Sequence, residues 1–132
     1  MILQTESAEC GLACMAMVAN YHGHQLDLTT LRSRYSVSLK GANMQQLMLL
    51  ANQLNMTGRA LKLELDDLAK LQTPCILHWE MNHFVVLKKV HRNGITILDP
   101  AMGERRLSFK EVDKAFTGVA LELTPTSEFK KV

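Results

Sequence analysis

The spacing of apolar residues divides the chain into a helical first part and a strand-rich second part, with the change near residue 56. Small apolar residues recur at helical spacing from Glu9 to Asn20, and Gly23 follows as a helix cap or turn. Asp27 offers an amino-terminal cap for a short second helix that runs to Tyr35. A third helix is predicted after Asn43. The apolar face expected for it consists of Met44, Leu47, Met48, Ala51 and Leu54.

From Gly58 onward the composition favours strands. Strand-like runs occupy residues 59–63, 75–80, 83–90, 95–98 and 119–123. Residues 65–71 form a short helix or helical turn, and the capping-box pattern that starts at Ser108 predicts a helix to Ala115. Helices followed by antiparallel strands indicate an α+β fold, in which an amino-terminal helical half packs on a carboxy-terminal antiparallel sheet.

The dipeptide Asn93-Gly94 between two of the strands is a strong signal for a two-residue hairpin turn. Such a turn would place Arg92 opposite Ile95. Counted back along both strands, His83 and Asp99 then lie near the same end of the ladder without facing each other directly. A bulge or an irregular strand end could absorb this offset, so the pattern neither requires nor excludes a contact between them.

The composition adds limits to this picture. With 132 residues, of which 47% are hydrophobic, the chain is expected to form one domain over 1–132, with a loose polar tail at 124–132. A net charge of +2 gives no indication of nucleic-acid binding. No apolar run reaches the ~18 residues that a membrane span requires. The three cysteines cannot all pair with one another, which favours a reduced, cytoplasmic protein.

Four side chains that suit acyl transfer stand at the predicted ends of elements. Cys10 lies in the first turn of a helix, where unpaired N–H groups and the helix dipole favour a thiolate, and Gly11 would leave space beside its sulfur. His83 could take and return a proton, and Asp99 could orient the imidazole. The backbone N–H of Cys10 and the side-chain amide of Gln4 could donate to an oxyanion. If these groups converge, the chain is a cysteine peptidase; otherwise it is an ordinary small α/β domain.

Each of these residues also has a structural interpretation. A cysteine on an apolar helix is more often a core residue, and His83 could make a single structural hydrogen bond. Asp99 could be a turn residue before Pro100, and Gln4 could belong to a solvated terminus. The complete set, in this order and at element ends, is much less probable by chance than any one member.

Other titratable residues are given structural roles. Cys14, one turn inside the helix, and Cys75, in an apolar run, are interpreted as packing residues. His22-Gly23-His24 could suggest a metal site, but no acidic or cysteine ligand stands nearby in sequence, so a surface turn and no metal site are predicted. Arg105-Arg106 is interpreted as a solvated strand face.

The segment from Gln4 to Cys14, QTESAECGLAC, closely resembles the cysteine motif of the bacteriocin-processing peptidase domains of peptidase-containing ABC transporters, especially the colicin V type. Residues 21–23, 83–87 and 99–103 resemble the later motifs of these domains. Residues 116–118 resemble the closing aromatic-Thr-Gly motif, where phenylalanine replaces the common tryptophan without touching a catalytic role. The resemblance covers nearly the whole chain.

This resemblance implies a papain-like fold and cleavage of a leader peptide after a double-glycine site. It implies that Cys10 is the nucleophile, His83 the base and acid, Asp99 the orienting residue and Gln4 the oxyanion donor. The partner would be a precursor whose leader binds as an amphipathic helix in a shallow apolar groove, beside a narrow cleft that accepts only glycines.

The resemblance also implies a cellular setting. The chain would be an excised domain that works with the transmembrane and ATPase parts of one transporter, on the cytoplasmic side of the bacterial inner membrane. Peptide hydrolysis would need no cofactor, and ATP would serve the full transporter only.

Two other functions are compatible with the same residues. A non-catalytic, peptidase-like docking domain would bind export cargo without cutting it, although degenerate domains of that kind lack the cysteine that this chain keeps. A papain-like acyltransferase or deamidase would use the same triad on another acceptor.

Overall fold

The computed structural model describes residues 10–34, 43–80 and 83–128, without the side chains of residues 32–34. The elements in these ranges are, in chain order, α1 (Cys10–Tyr21), α2 (Leu28–Arg34), α3 (Met44–Gln53), β1 (Met56–Lys62), a 3-10 helix (Leu65–Lys70), β2 (Cys75–Trp79), β3 (His83–Val90), β4 (Gly94–Asp99), β5 (Gly103–Ser108), α4 (Phe109–Ala115) and β6 (Phe116–Pro125). None of the helices in this part of the chain is long and apolar enough to cross a membrane.

A six-stranded antiparallel sheet forms the centre of the fold, with the strand order β1-β6-β2-β3-β4-β5. Alternate strand residues point to opposite faces, so Val86 joins one apolar cluster while Val85 and Leu87 join the other. The first face is covered by α1 and α3, and the second by the 3-10 helix and α4. The predicted α+β fold, with a helical half packed on an antiparallel sheet, is confirmed, and a second helical layer is added.

The first helix is buried on all sides, since every residue of the range 10–19 is buried. The sequence pattern had predicted a single apolar face. A Cβ on Gly11 would lie 3.1 Å from a side-chain atom of Leu47 on α3 and 3.4 Å from one of Phe84 on β3. Gly11 therefore lets the side chains of Leu47 and Phe84 pack closely against the helix, and the space expected beside the Cys10 sulfur stays a prediction.

Predicted helix ends are confirmed by their hydrogen bonds. Asn43 Oδ1 accepts from the Gln46 N–H at 2.9 Å, and Gln46 Oε1 accepts from the Asn43 N–H at 2.9 Å. Ser108 and Glu111 form the same reciprocal pair at the start of α4, at 3.3 and 3.1 Å. Gly23 ends α1 with a φ of 103°. These contacts satisfy backbone groups that a helix end leaves without a partner.

The β3–β4 hairpin differs from its predicted form. Val90, and not Arg92, pairs with Ile95, and the His91 N–H donates to the Gly94 carbonyl at 2.7 Å, so Arg92 and Asn93, and not Asn93 and Gly94, lie between the paired residues. A type I′ turn requires positive φ at both central residues, and neither residue of the Asn93-Gly94 dipeptide has one.

Gly94 is required for a different reason. A Cβ at this position would collide with the backbone carbonyl of Leu107 on β5. The glycine therefore permits close approach of the neighbouring strand and does not specify the turn, which is why the predicted pairing was wrong.

A bulge at Lys88 shifts the β3–β4 register once more, so that Val86 pairs with Leu98. Continued by one residue, this register puts Asp99 diagonally across the ladder from His83. Side chains on such diagonal positions are within reach of each other. The bulge and the strand ends thus absorb the offset between His83 and Asp99, for which the sequence pattern neither required nor excluded a contact.

Two other elements differ from their prediction. Strand β5 was given no bounds, although Arg105-Arg106 was interpreted as a solvated strand face, because Leu107 is its one buried residue and the others are polar or glycine. Strand β6 continues to Pro125, and the Thr126 N–H donates to the Asn55 carbonyl at 2.9 Å. The tail expected to be loose from residue 124 is therefore tied to the domain up to that point, and residues 129–132 lie outside the described range.

Candidate active site

Cys10 occupies the first turn of α1, and only 4% of its surface is exposed. The helix packs against β3, whose first residue is His83. N–H groups in the first turn of a helix have no helical carbonyl to bind, and they carry the positive end of the helix dipole. A sulfur at this position therefore lies beside the positive end of the helix dipole.

His83 and Asp99 are in direct contact at the edge of the sheet. His83 Nε2 lies 2.7 Å from Asp99 Oδ1, and the same oxygen accepts the backbone N–H of Ala101 at 2.9 Å. Asp99 is only 3% exposed. A buried carboxylate that accepts from the ring nitrogen fixes the orientation of the imidazole, which was the least secure contact in the sequence prediction.

The imidazole also makes a hydrogen bond to the Cys10 side chain. This bond is the largest cause that raises the pKa of His83 to about 9; partial burial opposes it, and the hydrogen bond and charge of Asp99 add to it. Because Nε2 is directed to Asp99, Nδ1 is the ring nitrogen left for the sulfur. At neutral pH the ring is therefore predominantly the imidazolium ion.

The structure thus brings three of the four predicted site residues together, in the order Cys10, His83, Asp99. Gln4 lies outside the described residues, so its predicted position beside the sulfur is not part of this geometry. A thiol, a proton carrier and an orienting carboxylate in this order are the groups needed for nucleophilic attack on a carbonyl followed by protonation of the leaving group.

Two residues near this site were missed by sequence reasoning. Arg105 was interpreted as part of a solvated strand face, but its Nη1 lies 3.7 Å from Asp99 Oδ2, while Arg106 is exposed. Trp79 pairs with His83 across the β2–β3 ladder and is 2% exposed. Strand alternation separates Arg105 from Arg106, but only knowledge of the missed strand β5 would have shown which arginine faces inward.

The other two cysteines are core residues, as predicted. Cys14 is fully buried, and burial raises its pKa well above the usual range, with the charges of Cys10 and Asp99 adding to the effect. Burial also raises the pKa of Cys75 to about 12, with a smaller contribution from Glu122. None of the three cysteines is in a disulfide. Cys14 and Cys75 are therefore thiols that resist ionisation.

The histidines at the end of α1 are less exposed than predicted. The predicted turn is present at His22-Gly23, but His24 is buried and His22 is half-buried, so its histidines are less exposed than a surface turn suggests. Tyr21 beside them is 69% exposed. Among the described residues, no group of histidine, cysteine and acidic side chains has the arrangement of a metal site.

Comparison with known proteins agrees with this geometry. The model of the Peptidase C39 family matches residues 1–128. The chain is 52% identical over 128 residues to the probable microcin-H47 secretion/processing ATP-binding protein MchF, and 52% identical over 129 residues to the colicin V secretion/processing ATP-binding protein CvaB, both of Escherichia coli. These matches cover 97% and 98% of this chain but 18% of each relative. The chain therefore spans less than a fifth of the length of these relatives.

Solved structures share the fold. A double glycine motif protease from an AMS/PCAT transporter, crystallised with its leader peptide, superposes with a TM-score of 0.88 at 36% identity, over 96% of this chain and 91% of that one. The peptidase domain of Streptococcus ComA, a bi-functional ABC transporter, superposes with a TM-score of 0.86 at 25% identity, over 95% of this chain and 97% of that one.

Proposed function

Because the chain belongs to the Peptidase C39 family and is a cysteine peptidase domain with a papain-like fold, we propose that it cuts a peptide precursor with the thiol of Cys10. The observation that carries this proposal is the hydrogen-bonded series from Cys10 through His83 to Asp99. Each member is placed on a different element, α1, β3 and β4, so the contact depends on the fold and not on sequence proximity.

The proposed reaction begins with the thiolate of Cys10 facing the imidazolium of His83. The sulfur attacks the scissile carbonyl, and His83 gives its proton to the departing amine, which leaves a thioester. The neutral imidazole then takes a proton from water, whose oxygen attacks the thioester and releases the acid and the thiolate. Asp99 holds Nε2 throughout, so that Nδ1 stays directed at the sulfur.

Negative charge develops on the carbonyl oxygen during both attacks. We assign its stabilisation to the backbone N–H of Cys10 and the side-chain amide of Gln4. The assignment of Gln4 rests on its place in the sequence motif. The nucleophile, the proton and the oxyanion donors all come from the chain itself, so we expect hydrolysis without a metal or organic cofactor.

The proposed substrate is a precursor whose leader ends in Gly-Gly. The relatives are named for the secretion and processing of microcin H47 and colicin V, and the solved protease was crystallised with a leader peptide. For the leader helix we propose the surface of α3, where Leu49 is 58% exposed beside the partly buried Met44 and Met48. Methionine side chains repack easily, which suits a surface that binds an amphipathic helix.

We further propose that the domain acts within a transporter. The two Escherichia coli relatives are ATP-binding secretion proteins, of which this chain corresponds to 18%. The peptidase would then work on the cytoplasmic side of the inner membrane, beside the transmembrane and ATPase parts. ATP would drive export of the cut peptide and not its hydrolysis.

The test is cleavage of a synthetic precursor with a Gly-Gly leader end, followed by mass spectrometry of the products. We expect one cut, after the second glycine, insensitive to EDTA. Cys10→Ala should lower the rate at least about 10⁴-fold, because it removes the nucleophile. Cys75→Ala is the matched control, since it removes a buried thiol on the other face of the sheet, and it should keep the wild-type rate per folded molecule.

Cleavage by Cys10→Ala at the wild-type rate would refute the nucleophile. A cut elsewhere in the peptide, or an equal rate with Gly-Ala at the cut site, would refute the double-glycine specificity. Binding without cleavage, together with iodoacetamide labelling of Cys10 no faster than of Cys75, would favour a docking domain. A product mass without added water would indicate acyl transfer.

A further inference from the structure

We propose that Arg105 is a positioning residue of this site, which compensates the charge of the Asp99 carboxylate and keeps it directed at His83. Arg105 pairs with Ile97 across the β4–β5 ladder, so it lies diagonally across from Asp99. Its Nη1 is 3.7 Å from Asp99 Oδ2. This inference rests on the roles proposed above for Cys10, His83 and Asp99.

The two oxygens of Asp99 have different neighbours. Oδ1 accepts from His83 Nε2 and from the Ala101 N–H. Within the described part of the chain, Oδ2 has Arg105 as its one polar contact. A carboxylate with a 4% exposed side chain has lost most of its hydration, and such a charge is costly unless a nearby cation compensates it. Arg105 supplies that cation on the side that His83 does not reach.

A second ion pair, which joins β3 to β5, shows why burial matters more than distance here. Lys88 Nζ and Glu104 Oε1 are only 2.7 Å apart, but their side chains are 54% and 55% exposed. Solvent screens such a pair, and its removal has little effect. The distance between Arg105 and Asp99 is longer, but Asp99 is buried and contacts the imidazole. The charge of Arg105 therefore acts on the reacting groups through Asp99.

The titratable and charged groups around Asp99 come from three other elements. Cys14 interacts with it from α1, His83 contacts it from β3 and carries the hydrogen bond to Cys10, and Arg105 lies beside it on β5. Glu111 on α4 is the other carboxylate that interacts with Arg105. With a thiolate at Cys10, an imidazolium at His83 and a carboxylate at Asp99, the guanidinium of Arg105 brings the net charge of the four groups to zero. Its removal leaves an excess negative charge, so protons bind more tightly and the reactive state forms only at higher pH.

The experiment compares wild type with Arg105→Gln, Arg105→Lys and Arg106→Gln. Arg106→Gln is the matched control, because it removes the adjacent, exposed arginine of the same strand. Cleavage of the Gly-Gly precursor gives kcat and KM. The rate of iodoacetamide labelling of Cys10 between pH 4 and 8 gives a pH profile that needs no substrate. Circular dichroism and a urea midpoint show that each variant is folded.

For Arg105→Gln we expect kcat to fall about threefold to tenfold with KM nearly unchanged, since Arg105 orients a catalytic group and does not bind the peptide. We expect the acidic limb of the labelling profile to move to higher pH, by about half a unit. Arg105→Lys should restore most of both, because the contact is single and needs charge more than fork geometry. Arg106→Gln should match wild type.

An unmoved acidic limb, a loss confined to KM, an equal loss in Arg106→Gln, or no recovery in Arg105→Lys would each overturn the role of Arg105. The two assays separate this inference from the proposed function. If wild type cut no Gly-Gly precursor while Arg105→Gln still shifted the labelling profile, the substrate would be wrong and the positioning role would stand. If wild type cut the precursor while Arg105→Gln left the labelling profile unchanged, the proposed function would stand and the positioning role of Arg105 would be wrong.

Discussion

The two ends of the β3–β4 hairpin each hold a histidine whose Nε2 is hydrogen-bonded to an oxygen of β4. At one end His83 Nε2 lies 2.7 Å from Asp99 Oδ1, and at the other His91 Nε2 lies 2.6 Å from Thr96 Oγ1. The pKa of His83 is raised to about 9. The pKa of His91 is lowered, first by desolvation and then by the nearby charges of Arg106 and Lys89.

Hydrogen-bond length therefore does not separate the catalytic candidate from the structural histidine. What separates them is the charge around each ring: an acidic partner and a thiol at His83, a hydroxyl and two cations at His91. A histidine that is charged at neutral pH can give a proton, whereas one held neutral can only accept one. The comparison shows that chemistry is confined to one end of an otherwise ordinary hairpin.

The largest expected difference between the two histidines is in catalytic activity. We expect His83→Ala to lower kcat about 10²- to 10⁴-fold, because both proton transfers lose their carrier. His91→Ala, the matched variant at the other end, should stay within about twofold of wild type. Cleavage kinetics on the Gly-Gly precursor measure both. A comparable loss in the two variants would mean that the hairpin acts as a structural unit and that His83 has no special role.

An effect of intermediate size concerns two glycines: Gly94, the first residue of β4, and Gly103, the first residue of β5, which pairs with Asp99 at the other end of β4. Gly94→Ala should lower the free energy of unfolding by about 3 kcal/mol, since its Cβ would collide with the Leu107 backbone. Gly103→Ala should cost only about 1 kcal/mol, because its φ of 95° is strained for alanine but no atom of the described residues lies within 4 Å of the added Cβ.

Urea denaturation of both glycine variants measures these changes. The kcat of the folded Gly94→Ala protein should equal that of wild type, because the turn end takes no part in the chemistry. A larger cost for Gly103→Ala than for Gly94→Ala would contradict the tight packing described at the turn.

The smallest expected effect is a pH dependence of stability with opposite sign at the two ends. The pKa of His83 is raised, so its contribution is fully present below about pH 6.5 and is lost as the pH rises through about 9. We expect this to be of order 1 kcal/mol after allowance for screening. The pKa of His91 is lowered, so its contribution is present above about pH 6.5 and declines as the pH falls below it.

The measurement is the difference in unfolding free energy between wild type and each alanine variant, by urea titration from pH 5 to 10. The difference for His83→Ala should shrink toward high pH, and the difference for His91→Ala should shrink toward low pH. Slopes of the same sign would show that the two rings share one environment.

Much of the fold follows from local sequence signals. The capping boxes at Asn43 and Ser108 and the strand from His83 to Val90 were predictable, because each depends on residues within a few positions of one another. The hairpin register was not predictable. Gly94 is required by the close backbone of the neighbouring strand, and the bulge at Lys88 adds a residue without any local sequence signal.

The candidate site was predictable in its members but not in its contacts. Cys10, His83 and Asp99 were found from residue type and element ends, together with the family motif. Arg105 was missed, because β5 has only one buried apolar residue and its two arginines look alike in sequence. Its inward position is set by strand pairing with β4, which is a long-range property of the chain.

The complete burial of α1 has a consequence for how the domain loses activity. The buried middle of this helix is enclosed by the sheet and two other helices and cannot open by local fraying, so the amide hydrogens of residues 14–19 should be among the slowest to exchange. The thiol is thus attached, one turn away, to a slowly exchanging segment of the protein. Destabilising changes elsewhere should reduce the number of working molecules while leaving the turnover of each surviving molecule intact.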